Sequence, residues 1–233
     1  MSDWAAAARS LTVSPPACER ATYGRARAVS CMRRLDALFR PVERYAGAVS
    51  PRTHAIVAVV SLCTFVGVIA LGFVPVTRRI ETSGYSTADL QDATTRAEVD
   101  AILQALAPVM DAVMLLSLLD YVFIVAGFSL FFSLHSLALY ALDGHGWLVL
   151  VPKVGMVLTV VSRLLDSLEN LWVILIYTNP DDYATILISL MNVSETLKWT
   201  VVRIEYPTLG LALVLALLVR FTGLFDGEPE RLQ

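Results

Sequence analysis

Between Ala55 and Val76 the chain runs for 22 residues without a single charge. An α-helix needs about 20 mainly apolar residues to cross the hydrocarbon layer of a bilayer. That stretch therefore has few folds open to it other than a membrane helix. Three more segments reach the same length: about Asp111 to Tyr140, Trp147 to Tyr177, and Leu197 to Phe221. The composition agrees: 56% of the residues are hydrophobic and 17% charged, against about 45–50% and about 25% in soluble domains. The expected fold is all-α: a polytopic membrane protein with four transmembrane helices and amphipathic interfacial helices. The expected organisation is an Arg-rich N-terminal tail (1–53), a four-helix transmembrane domain (54–225) and a short C-terminal tail (226–233).

The same inventory excludes several classes. A net charge of −3 gives no basic surface for nucleic acid. Cys18, Cys31 and Cys63 have neither C-x-x-C spacing nor paired histidines, so no disulfide framework and no metal site is expected. Nothing in the sequence calls for a cofactor. His54, His135 and His145 read as packing or interfacial residues, and Trp147, Tyr177 and Trp199 as interface anchors.

Residues 1–53 carry nine arginines against four acids. Within them, CMRRLDALFRPVERY sets Met32, Leu35, Leu38 and Phe39 at helical spacing with arginines between. This suits a helix lying on an anionic membrane surface, and it equally suits a disordered basic tail; a mitochondrial transit peptide is a third reading, which Glu19 and Asp36 weaken. The lack of an early apolar core argues against a cleaved secretory signal. Arginines crowd the approach to the first span, while residues 178–196 hold no Lys or Arg. Both termini are therefore expected on the cytoplasmic or matrix side, although Arg78 and Arg79 run against this.

The connections carry helix signals of their own. Thr95-Arg96-Ala97-Glu98 fits a capping box, followed by an apolar face of Val99, Ile102, Leu103 and Leu106. Pro108 should start or kink the second span. Asn179-Pro180 reads as a helix start, with Tyr183, Ile186, Leu187, Leu190 and Met191 forming the stripe that follows. Pro207 should bend the fourth helix.

Function is expected where the apolar pattern fails. In the third span, RLLDSLENLW places Arg163, Asp166, Glu169 and Asn170 within eight residues. At 100° per residue, Thr159, Arg163, Asp166 and Asn170 fall within about 60° of one another. The fourth helix carries Glu195, Lys198 and Glu205 on one side, with Glu195 and Lys198 close enough to pair. Asp111 and Asp120 stand in the second span. A lone charge at a helix centre costs about 2.5–3.5 kcal/mol on insertion scales. Six acids and three bases (Arg163, Lys198 and Arg203) must therefore share a layer, paired or hydrated. The antiparallel order of the spans sets that layer on the side opposite the termini. The expected ligand-binding residues are Asp120, Arg163, Asp166, Glu169, Asn170, Glu195 and Lys198.

Several further elements resemble a family of small four-span integral membrane proteins of uncharacterised activity: YSTADLQDA, LLDY, LLDSLENL, the Pro180 turn and TLKW. The resemblance covers Tyr85 to Val202, and its most specific part is the intramembrane D-x-x-E-N motif, Asp166 to Asn170. It implies a four-span fold, with Asp120, Asp166, Glu169, Asn170 and Lys198 as signature residues, and it implies no chemistry. The chain departs from the family near Ala107 to Ala112, where a Gly-Arg pair and a tyrosine are expected, and in its Arg-rich N-terminal extension.

The expected role is binding or transport of a small polar or lipid-headgroup ligand between spans 2–4, with membrane lipid as a partner. Two alternatives stay open. One is a structural subunit of a membrane complex, which could be mitochondrial. The other is an intramembrane acid–base enzyme with Glu169 as base, for which no Ser–His, Cys–His or metal arrangement is visible.

Overall fold

The computed structural model of the protein describes residue 37 and residues 39–222. The chain divides into two compact units, 1–41 and 42–233. The described residues of the first unit are helical. Most of the Arg-rich tail, including the first residues of the expected surface helix, lies outside the described residues, as does the C-terminal tail.

The second unit is a helical bundle, with no strand among the described residues. Four helices are long and apolar enough to cross a membrane, at Pro51–Ser83, Arg96–Ala141, Gly146–Thr178 and Ile186–Phe221. The chain is an integral, multi-pass membrane protein.

Helix α1 (Pro51–Gly67) starts where Ser50 accepts the Thr53 N–H at 3.2 Å and Pro51 takes the first turn. The span then widens into a π-helical turn, Val68–Phe73, before α2 (Val74–Ile80). Pro75 accounts for the change. It has no N–H to return to Leu71, and its ring crowds that carbonyl. Val74 instead donates to Ile69, five residues back. Gly84 closes this arm at φ 86, a left-handed conformation that only glycine adopts freely.

Two short helices follow. In α3 (Thr87–Asp92), Ser86 and Asp89 cap each other reciprocally, and in α4 (Arg96–Leu106) Thr95 and Glu98 do so as the spacing predicts. The face Val99, Ile102, Leu103 and Leu106 is buried, together with Leu90 of α3, against Val113, Val173, Ile176 and Met191. Helices α3 and α4 thus cover the ends of the spans opposite the N-terminal side. Pro108 falls in a 3₁₀ turn (Ala107–Val109) that leads into α5 (Met110–Ala141).

Helix α5 is the centre of the bundle. It packs on α1, on α6 (Leu150–Thr178) and on α7 (Ile186–Thr222), and α6 and α7 share the most extensive interface. Span 1 packs chiefly on α5 and has no extensive interface with α7. At the other end Tyr140 donates to the carbonyls of Ala46 and Val49, at 3.1 and 2.9 Å, and Lys153 pairs with Glu43 at 2.5 Å.

Two sequence expectations change here. Asn179 does not start a helix. It ends α6, with its N–H on Ile176 and its side-chain amide donating to the Asp182 carbonyl at 2.9 Å. An Asn before a turn serves either end of a helix, and the sequence pattern alone does not separate the two. The stripe beginning at Ile186 is not a separate interfacial helix but the first turns of α7. That helix then continues through Pro207 to Thr222.

His135 is fully buried in α5, and its imidazole lies in the notch left by Gly155 of α6. A Cβ at Gly155 would overlap that ring. Gly155→Ala should therefore cost about 1–3 kcal/mol by overpacking, read as a lower melting temperature of the detergent-solubilised protein. Adding His135→Ala should return part of the loss, because the two sites share one space. The α3 cap gives a second prediction. The Ser86 N–H holds the Asp89 carboxyl below its ordinary value of 3.8. Stability from this cap is fully present above that value and is lost as pH falls through the lower folded-state value. Amide exchange in α3 should rise over that acid window, and Asp89→Ala should abolish the pH dependence.

Candidate functional site

Six of the seven expected residues line one cavity of about 370 Å³: Asp120, Arg163, Asp166, Glu169, Asn170 and Lys198. Glu195 does not line it. It was expected to pair with Lys198 along the helix, but the Lys198 ammonium turns across to α6. There it meets Glu169 at 2.5 Å and Asp166 at 3.3 Å. Two carboxylates one turn apart on α6 offer one cation more than a single partner on its own helix does.

The stripe on α6 holds the site in order. At its outer end the Asn170 amide donates to the Ser117 carbonyl of α5 at 3.0 Å, which fixes these helices against each other. Glu169, almost wholly buried, accepts from Gln91 of α3 at 2.6 Å on its other oxygen. One turn in, Asp166 stands between Lys198 and Arg163, whose Nη1 is 3.5 Å away. Arg163 is buried, with Phe131 5.2 Å from its Cζ and Gly127 leaving α5 open beside it. A Cβ at position 127 would meet the guanidinium carbon at 3.5 Å, an ordinary contact.

Glu205 closes the inner end. It is fully buried, accepts from Thr159 at 2.9 Å and Ser162 at 2.6 Å, and lies 3.9 Å from Arg163 Nη2. Hydroxyl donors and a nearby cation satisfy a carboxylate that would otherwise be prohibitively expensive at this depth. Asp120 contrasts with it. Its carboxylate faces the cavity and has no ion pair or hydrogen bond among the described residues.

The other intramembrane charges stay apart. Asp111 is exposed and pairs with Arg79 at 2.8 and 2.9 Å, outside the cavity. Arg203 is exposed on the outer side of α7, so it does not join the layer as expected. Tyr177 is buried and lines the cavity, which corrects its reading as an interface anchor; Trp199 lines the cavity too and is half exposed. Trp147 is exposed.

Among the wall residues not expected in the site are four from outside the three charged spans. Gln91 and Thr87 come from α3, too short a helix to show periodicity; the Ser86–Asp89 spacing was its available signal. Phe73 and Thr77 are turned in from span 1 beyond the π turn, whose sequence signal is Pro75. Comparison of the chain with protein-family models, curated proteins and solved structures gives no match.

The inner carboxylate makes a structural prediction. Glu205→Leu should strand two buried hydroxyls, leave Arg163 to Asp166 alone, and destabilise the protein by about 3 kcal/mol. Glu205→Gln keeps an acceptor and should cost clearly less. Chemical denaturation in mixed micelles will rank the two, and equal costs would contradict the bonding described.

Proposed function

We propose that the protein binds or transports a small polar or lipid-headgroup ligand in the cavity between its spans. The observation that carries this reading is that the charged groups surround a space. A network that only fastened helices would close on itself at the packing density of protein interiors. Here five charged side chains line about 370 Å³ of cavity, a volume in the range of small-molecule sites. Charged residues in a membrane interior commonly mark such sites. The reading carries with it the resemblance to four-span proteins with the D-x-x-E-N motif. It also carries an orientation with both termini on the cytoplasmic or matrix side.

One observation favours a second reading, a purely structural role within a membrane complex. Lys198 joins α7 to α6 through two carboxylates, and such links hold helices together in lipid at roughly 0.6 kcal/mol for each polar contact. Asp166→Asn and Glu169→Gln separate the two. Under the proposed function, native mass spectrometry of the gently extracted protein shows a co-purifying small molecule. Its occupancy falls at least tenfold in both variants, with helix content and insertion unchanged. Unchanged occupancy, or loss of assembly without any bound molecule in the wild type, would refute it.

A further inference from the structure

The charges around the cavity do not balance. Lys198 is committed to Asp166 and Glu169, and Arg163 lies between Asp166 and Glu205. With Asp120, four carboxylates share two cations. Asp120 feels the Lys198 and Arg163 charges but has no ion pair or hydrogen bond of its own among the described residues, and it faces the open space.

Besides the charged groups, aromatic rings share the cavity wall with Asp120. Phe123 is the next turn of the same helix, and the Phe73 ring lies 5.3 Å from it. Trp199 and Tyr206 form the opposite wall. Aromatic faces attract organic ammonium groups. A bare hard cation instead needs six or so oxygen ligands, and among the described residues no group of three or more His, Cys, Asp or Glu is placed to hold one.

The route in is lateral. Gln91 and Thr87 of α3 cover the outer end of the cavity, and Gln91 is bonded to Glu169. Span 1 and α7 have no extensive interface, yet both line the cavity, through Phe73 and Thr77 on one side and Trp199 and Tyr206 on the other. Trp199 and Tyr206 are each about half exposed, at 50% and 49%. A lateral passage between these two spans fits this exposure and their lack of a broad mutual interface.

We infer that the cavity takes a cationic amphiphile. Its amine head sits against Asp120 between Phe123 and Phe73, and its apolar tail leaves through the gap between span 1 and α7. This rests on the ligand-binding reading above and adds the charge, the tail and the route.

The test uses the full chain in neutral maltoside micelles at pH 7, with binding followed by tryptophan fluorescence and native mass spectrometry. Four probes are compared: dodecylamine, dodecanol, butylamine and dodecyl phosphate. Dodecylamine should bind best. Asp120→Asn should weaken it at least tenfold, and Asp120→Glu should retain most of the affinity, with both variants melting within a few degrees of the wild type. Dodecanol binding as well as dodecylamine, or an unchanged Asp120→Asn, would overturn the cationic assignment. Butylamine matching dodecylamine would overturn the tail and the lateral route in favour of a soluble amine. Preference for dodecyl phosphate would overturn the ligand's charge while leaving ligand binding at the site intact. If no probe binds and the wild type also carries no co-purifying molecule, the ligand-binding reading itself fails.

Discussion

Lys198 reaches across from α7 to two carboxylates on α6, and much of the bundle's interior is arranged around that link. Asp166 and Glu169 lie one turn apart, where like charges repel. An ammonium shared between them turns a liability into a tie between helices. Because the tie is double, it sets α7 in rotation as well as in register against α6. That setting carries Glu205 inward to the Thr159 and Ser162 hydroxyls and presents Trp199 and Tyr206 to the cavity. The second oxygen of Glu169 takes Gln91, so the same carboxylate also fastens the short α3 over the outer end. Helix register, the cavity wall and its cover thus meet at Glu169.

Span 1 joins this arrangement differently. It offers no charge to the layer, and its sequence is so uniformly apolar that no face distinguishes itself. Its contribution comes from a backbone irregularity: Pro75 forces the π turn that precedes Phe73 and Thr77. Irregular backbone in a membrane helix is tolerated where other groups re-satisfy the freed carbonyls or where it borders a cavity. Phe73 meets that second condition, since it forms part of the wall.

These two mechanisms explain what could be read in advance. The α6 stripe was legible because a 3.6-residue period converts spacing directly into a shared face, and four polar residues on one face of an apolar helix must seek protein. Lys198 and Asp120 followed from depth alone, because antiparallel spans bring their levels together. Glu195 did not follow, because helical spacing gives an angle on α7 but not the rotation of α7 against its neighbours. That rotation is fixed by Lys198's choice of α6 over its own helix. Arg203 and Asp111 failed for the same reason: residues at the right depth can face outward or find a partner such as Arg79. Gln91 was hidden because α3 has only six residues, too few to carry a periodicity.

The layer that results has two characters. At its inner end Glu205 is enclosed, bonded on both oxygens and faced by Arg163, so its environment is complete. At the opposite wall Asp120 has neither a partner nor a closed surface. Both are acids deep in an apolar bundle and incur the same kind of desolvation cost. The contrast is local: Glu205 of α7 is bonded to hydroxyls of α6, while Asp120 of α5 borders the open space. A bundle that needed only cohesion gains nothing from Asp120, since an apolar residue there would pack without cost. On the proposed function, Asp120 is the group left to meet a ligand, and the bonded groups around it hold the wall of the space it faces.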